Sequence, residues 1–287
     1  MDTQTDCVAQ VADLRHQYGD TTALDGVSLE LQSGLMLGLI GPDGVGKSTL
    51  LGLLAGARKI QDGTVSVLDG SMADKAHRES VFHRVAYMPQ GLGKNLYQEL
   101  SVFENLDFFG RLFGHDGAER KRRIERLTEA TGLDPFLDRP AGKLSGGMKQ
   151  KLGLCCALIH DPDFLILDEP TGVLTPAEAD QLFRILDRLR EEGKTIILIT
   201  HKLREIMDIT DTVSVMRRGE MTATVKTSET SPAELAELMV GRKVLLRVDK
   251  VPAQLGDVVL DVKQLHVVDD KGVERVKGID LNVRAGE

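Results

Sequence analysis

No apolar run in this 287-residue chain approaches the roughly eighteen residues that a membrane-spanning helix needs. Its start, Met1 to Asp6, is polar and carries no signal-peptide pattern. These absences lead to the expectation of a soluble, cytoplasmic protein. Cysteine is scarce as well: Cys7, Cys155 and Cys156 are too few and too badly spaced for a disulfide or zinc framework. The vicinal pair falls in an apolar helical stretch, where packing accounts for it. Basic residues are the minority, 36 Lys and Arg against 44 Asp and Glu, and the net charge of −8 argues against nucleic-acid binding through the whole surface. No direct DNA binding is expected. The basic run Arg120-Lys121-Arg122-Arg123 shares an amphipathic pattern with Ile124 and Leu127 and reads as a solvated helix face. What remains, 41% hydrophobic residues, suffices for one sizeable α/β core and little more.

Chemistry enters with Gly41-Pro42-Asp43-Gly44-Val45-Gly46-Lys47-Ser48-Thr49, which fits the phosphate-loop template G-x-x-x-x-G-K-[ST]. In such a loop the glycines let backbone N–H groups close around phosphates. Lys47 then reaches the β and γ oxygens, and the Ser48 hydroxyl ligates Mg²⁺. Leu35 to Ile40 reads as a buried strand before the loop, and Lys47 to Ala55 as a helix whose N-terminus faces the anion. A second motif, Leu144-Ser145-Gly146-Gly147-Met148-Lys149-Gln150, precedes the apolar stretch Leu152 to Ile159. Ser145, Gly146 and Gly147 there make either a second anion site or an ordinary capped helix start. Next comes Phe164 to Pro170, an apolar strand ending in two carboxylates. Side chains alternate along a strand, so Asp168 and Glu169 are expected to point to opposite sides and to do different jobs. Asp168 would serve the Mg²⁺ shell and Glu169 the attacking water. A further apolar strand, Thr195 to Thr200, delivers His201. A lone histidine at a strand end is more often structural, but after these motifs it is a candidate to hold the water and the γ-phosphate.

In this order the motifs resemble the nucleotide-binding domain of ATP-binding-cassette proteins, over about residues 8 to 243. The resemblance implies an α/β P-loop NTPase fold with an N-terminal antiparallel β subdomain and a helical signature subdomain at about residues 92–160. It implies ATP and Mg²⁺ as ligands, and it makes Ser145 to Gly147 the signature that faces ATP held by a second cassette. It also assigns Gln90, in Tyr87-Met88-Pro89-Gln90, to Mg²⁺ and the water, and Tyr18 to stacking on adenine. The implied partners are transmembrane permease subunits and a second nucleotide-binding domain, with the chain peripheral on the cytoplasmic face of the inner membrane.

Two subfamilies share the resemblance. Up to about residue 170, segments such as Met88 to Tyr97 and Lys143 to Ile159 are similar to the first cassette of the bacterial ribosome-associated ATPase, which is exporter-like. From Thr171 on, Val173-Leu174-Thr175-Pro176 and Ile199 to Ile206 look like tandem sugar or nucleoside importers. Exporter-type cassettes carry an aspartate where this chain has Thr175, in the loop that signals across a cassette dimer. The leading expectation is a transporter motor. The alternatives are a ribosome-associated ATPase acting in translation, with the ribosome as partner, and an ATP binder too slow to drive anything.

Five aromatics, Tyr97, Phe103, Phe108, Phe109 and Phe113, gather in the helical lobe of a chain with only 4% aromatics, and one or two of them are expected to be exposed at a partner contact. Ser231-Pro232 should start a last helix that ends near Gly241. Finally, Ala23 to Gly34 aligns with Arg275 to Gly286, keeping both glycines and the apolar alternation. The expected organisation is therefore a complete cassette over 1–243, a linker at 244–257, and the truncated β start of a second cassette at 258–287.

Overall fold

A computed structural model describes residues 7–91, 93–242, 253–270 and 272–287. The polar start Met1 to Asp6, Leu92 and residues 244–252 of the expected linker lie outside the described residues. The chain divides into two units, 1–244 and 245–287.

Alternation builds the first sheet. In β1 (Cys7–Tyr18) and β2 (Thr21–Gln32), Val11, Leu14, Val27 and Leu31 are buried while Gln10, Ala12, Ser28 and Glu30 face water. The next strand, β3 (Met36–Ile40), is buried at every residue and leads through the phosphate loop into α1 (Lys47–Leu54). The chain then returns to the first sheet as β4 (Asp62–Val67) and β5 (Gly70–Ser71), which gives an antiparallel order β2-β1-β4-β5. The N-terminal β region is thus shared: β1 and β2 join β4 and β5 in the antiparallel sheet, while β3 belongs to the central sheet.

After α2 (Lys75–Val81) and β6 (Val85–Met88) come the helices of the lobe: α3 (Val102–Leu112), α4 (Gly117–Thr131) and α5 (Gly146–Leu158). A capping box between Ser101 and Glu104 starts α3, and Asp116 caps α4. The remaining elements alternate as βα units: β7 (Phe164–Asp168), α6 (Pro176–Glu191), β8 (Thr195–Ile199), α7 (Leu203–Ile209) and β9 (Thr212–Arg217). A hairpin strand β10 (Glu220–Lys226) and α8 (Pro232–Val240) complete the unit, with Ser231 capping α8 and Gly241 ending it. The central sheet runs β10-β9-β3-β8-β7-β6, parallel except for β10. Its inner strands are apolar throughout because helices cover both faces: Leu37 and Leu39 of β3 pack with α1, Met36 and Ile40 with the side that holds α6 and α7.

The helical lobe has its own core, in which Leu152, Cys155 and Ile159 meet Val102, Leu106 and Ile124. Leu154, Ala157 and Leu158 of the same α5 pack into the central core instead, so one helix ties the two together. Both vicinal cysteines are buried, as packing residues should be. Two expectations need correcting. The basic run is not a simply solvated face: Arg120 is largely buried against Asp107 of α3 (2.6 Å), and Arg122 and Arg123 both grip Glu119. Three lobe aromatics are exposed rather than one or two, namely Tyr97, Phe103 and Phe108, while Phe109 and Phe113 pack against the lobe core.

His160, just past α5, stacks on Phe113 (3.9 Å between ring centroids) and bonds the Val85 carbonyl through Nε2 at 3.3 Å, while its Nδ1 is buried without a partner. Burial disfavours the cation and lowers its pKa to about 4. The unfolded chain takes up that proton near pH 6.5, so the folding free energy is highest above 6.5 and drops by about 3 kcal/mol as pH falls to about 4. Denaturant titrations across that window should show the loss, and His160→Gln should flatten it.

The second unit is a hairpin of β11 (Val258–Val268) and β12 (Glu274–Arg284). It repeats β1 and β2 in detail. Val262 faces Leu281 and Leu265 faces Ile279, as Val11 faces Leu29 and Leu14 faces Val27, with a bulge between the two pairs each time. The bulge residues Asp13 and Gln264 both take φ 48°, and Gly26 and Gly278 take 69° and 66°. Asp13 N–H donates to Ser28 Oγ, and Gln264 N–H donates to the Asp280 carboxylate at the matching position.

Candidate active site

In parallel sheets, ligands sit beyond the carboxyl ends of the strands. Here β3, β8 and β7 are neighbours, and their ends deliver the phosphate loop, His201, and Asp168 with Glu169 to one place. A cleft of about 540 Å³ opens there, lined by Tyr18, Asp43, Lys47, Ser48, Gln90, Glu169 and His201, among others.

The loop keeps its shape through glycines that no other residue could replace. Gly41 has φ 152° and Gly46 has φ 99°, and a Cβ at these positions would run into the carbonyl oxygens of Met216 and Ala23 respectively. Gly46 is the N-cap of α1, with no side-chain cap and no acidic residue in the first turn, so the helix start offers bare N–H groups to an anion. Asp43, Gly44, Gly46, Lys47, Ser48 and Thr49 line the cleft. The carbonyls of Gly41 and Pro42 instead accept hydrogen bonds from Lys47 Nζ, each at 2.8 Å, and Val45 packs toward the core. Burial lowers the Lys47 pKa, and the charges of Asp43, Glu169 and Asp168 oppose that shift.

Asp168 ends β7 at only 2% exposure, and its Oδ1 is buried without a hydrogen-bond partner. Burial raises its pKa; the Ser48 hydroxyl opposes, the Glu169 charge adds, and the Gln90 backbone and Lys47 oppose. An orphaned carboxylate oxygen beside a serine hydroxyl is an all-oxygen donor set that suits a hard cation such as Mg²⁺, which takes one or two protein ligands and completes its shell with phosphate and water. The side chain of Gln90 is exposed on the same cleft.

Glu169 is not a strand residue. The strand stops at Asp168, and Glu169 turns out of it at φ 54°. Its separation from Asp168 therefore comes from a left-handed backbone kink, not from strand alternation, and it costs backbone strain. The kink is held from several sides. The Glu169 N–H donates to Ile199 O (3.1 Å), and its carbonyl accepts from Gly172 N–H and from Gln150 Nε2, both at 3.2 Å. Its Oε1 lies 2.6 Å from His201 Nε2, which also stands 3.4 Å from Asp43 Oδ1. A carboxylate only accepts, so Nε2 carries the hydrogen.

Several supporting residues escaped the sequence reading. Gln150 stands at the end of the quoted signature, and its reach to Glu169 depends on how α5 crosses the sheet. Glu205 on α7 is buried, and its carboxylate accepts from Thr171 and Thr200 (both 2.6 Å) and pairs with Lys202 (2.8 Å). It therefore ties the turn after Asp168-Glu169 to the turn that carries His201. No motif marks it; a lone Glu in a helical stretch looks like a surface residue. Tyr18, at the cleft edge, bonds Thr49 Oγ1 through its hydroxyl (3.3 Å) and carries the Arg58 guanidinium 5.4 Å from its ring centre.

Ser145, Gly146 and Gly147 do not line this cleft. Ser145 caps its own α5 by accepting from Met148 N–H (3.3 Å), and the Glu178 carboxylate fills the space where a Gly147 Cβ would go. Thr175 is the N-cap of α6, in a capping box with Glu178.

The known proteins this chain resembles fit that geometry. A nucleoside import ATP-binding protein of Lactococcus lactis subsp. cremoris is 38% identical over 288 residues, covering 98% of this chain and 56% of that protein. The match to an importer is thus not confined to the residues beyond 170. A probable multidrug ABC transporter ATP-binding protein of Escherichia coli is 39% identical over 228 residues, 79% of this chain and 38% of that protein. The chain spans about half the length of the curated relatives it matches. Among solved structures, an ATP-binding subunit of an ABC transporter superposes with a TM-score of 0.73 at 29% identity, covering 80% of this chain and 99% of that one. Residues 24–172 match the family described as ABC transporter, and with the phosphate loop, the buried Asp168 and the Glu169–His201 pair set around one cleft, this chain belongs to that family as a nucleotide-binding cassette.

Proposed function

We propose that the chain binds and hydrolyses ATP to power a membrane transporter, with two cassettes closing over each nucleotide. The observation that carries this reading is a division: Lys47, Ser48, Glu169 and His201 line one cleft, with Asp168 buried behind Ser48, whereas Ser145 to Gly147 stand outside its lining. A second cassette would supply those three residues. Lys47 exchanges the carbonyls of Gly41 and Pro42 for phosphate oxygens, and the bare start of α1 receives the phosphate charge. Ser48, Asp168 and Gln90 would hold Mg²⁺, which when bound neutralises charge on the phosphates and fixes their geometry. Glu169 Oε1 takes the proton of the attacking water, and His201 keeps that carboxylate aimed by donating from Nε2. Tyr18 offers its ring to adenine at the cleft edge.

The transport names of the relatives favour this role over the ribosomal one. Transmembrane permease subunits are the proposed partners, with the exposed Tyr97, Phe103 and Phe108 as the contact offered to them, and the cytoplasmic face of the membrane is the proposed location. Among the described residues no helix is long and apolar enough to cross a membrane itself. The second unit is read as the opening hairpin of another cassette, supported by its copy of the β1–β2 register and bulge. On that reading the cassette folds without it: a chain ending at Arg242 should keep its melting temperature within a degree or two and its ATP affinity, because among the described residues those that build the three cores all lie at or before 239. A fall of several degrees would assign the hairpin to the first cassette's own β region.

The composite site has a direct test. Lys47→Ala and Ser145→Arg chains should each be inactive alone, and mixing them should restore part of the Mg²⁺-dependent ATPase, since one site in the mixed pair has an intact Lys47 and an intact Ser145. No recovery on mixing would exclude the two-cassette site.

A further inference from the structure

A second cleft, of about 650 Å³, lies far along the chain from the phosphate loop, between α4 of the helical lobe and α6 of the central core, with the chain after α5 as its floor. Its volume is that of a small-molecule site. The floor is apolar: Leu127, Leu158, Pro162, Ile185 and Leu189 all contribute. The rim is made of guanidinium groups from both walls, Arg122, Arg123 and Arg126 on α4 and Arg184 and Arg188 on α6, in a chain whose net charge is −8.

The charges inside the protein only partly answer this rim. Glu119 holds Arg122 and Arg123, and Arg123 also donates to the Ile159 carbonyl (3.1 Å). Glu192 is shared by Arg126 (3.5 Å) and Arg188 (3.3 Å), both well exposed to water. Exposed pairs of this kind hold weakly and exchange readily for a better partner. Of the two acidic residues that line the cleft, Asp161 pairs with Lys194 (3.1 Å), which leaves Glu129. Arg184 has no carboxylate partner among the described residues, and it stands one helical turn from the like charge of Arg188.

We propose that this cleft binds a small amphipathic anion, an aryl or acyl phosphate or carboxylate whose apolar body lies on the leucine and isoleucine floor and whose charge engages Arg184 and Arg188. Its two walls belong to different lobes, joined at one end by the Gln181 to Ala130 hydrogen bond (2.9 Å), so a bound molecule would brace α4 against α6 and act as an effector rather than a substrate.

The probe is 2-naphthyl phosphate, titrated into the full chain by calorimetry with saturating ADP and Mg²⁺ so that the phosphate loop is filled. Saturable one-site binding is expected. It should weaken roughly tenfold in Arg184→Ala, the loss of a charge-assisted hydrogen bond, and further when Arg188→Ala is added. Both positions are exposed, so the variants should keep the parent's circular dichroism and ATPase. The Lys47→Ala chain should bind the probe as the parent does, which separates this site from the nucleotide cleft. Neutral 2-naphthol and inorganic phosphate should each bind at least roughly tenfold more weakly, one lacking the charge and the other the apolar body. The proposal is overturned by non-saturating binding, by equal affinity in the double arginine variant, by loss of binding in Lys47→Ala, or by an acidic peptide binding here where 2-naphthyl phosphate does not.

Discussion

On the proposed mechanism, Glu169→Gln should lower ATP turnover by about 10²-fold or more and leave nucleotide affinity nearly unchanged. The amide has the same shape as the carboxylate and can still accept from His201 Nε2, so the 2.6 Å contact and the φ 54° kink should survive. What is lost is the capacity to take a proton from water. The kink itself is secured by backbone groups, through Ile199, Gly172 and Gln150, none of which the substitution touches. Steady-state phosphate release and nucleotide binding, measured on the same preparation, separate the two quantities. Turnover at the parent rate would move the base elsewhere, and Asp43, the other carboxylate near His201, would be the next residue to change.

On the same reading, Lys47→Ala should weaken ATP binding by roughly 10- to 100-fold, the worth of a charge-assisted hydrogen bond to a phosphate. Lys47 is buried and bonded to the carbonyls of Gly41 and Pro42, so on the proposed reading its ammonium would be held in the loop before a nucleotide binds. Little side-chain freedom is then lost on binding, which makes the residue worth more than a flexible surface lysine. Removing it also leaves three nearby carboxylates, Asp43, Asp168 and Glu169, without their cation. A fluorescent nucleotide titration reports the change. Lys47→Arg should not rescue it, because a planar guanidinium does not reproduce the compact ammonium that bonds two loop carbonyls at 2.8 Å. Unchanged affinity in Lys47→Ala would show that the backbone N–H groups alone hold the phosphates.

Much of this was legible in the chain because it depends on local order. The template from Gly41 to Thr49 needs a strand before it and a helix after it, and apolar runs on both sides supplied them. Strand β7 and the end of β8 were readable for the same reason, as short apolar runs ending in polar residues. The last helix announced itself through Ser231, Pro232 and Gly241, whose preferences are set by backbone geometry at helix ends. Glu169 was read as a strand residue facing away from Asp168, but it lies past the strand at φ 54°. Alternation along a strand is a local rule, and it stops applying where neighbouring chain segments pull the backbone into a left-handed turn.

The sequence by itself determined the α/β class, the order of the motifs and the duplication of the first hairpin. These follow from periodicity and from residue types that tolerate only one backbone shape. Only the tertiary structure decided which motifs meet. Strand order β3-β8-β7 brings residues from three distant segments to one cleft and leaves Ser145 to Gly147 outside its lining. The fold also gave Glu205, Gln150 and Asp43 their places around Glu169 and His201, and it made Arg120 a half-buried tie between two helices. The reason is physical: hydrogen bonds and ion pairs act over a few ångströms in space, and distance along the chain says little about that separation once a sheet has been ordered by its crossovers.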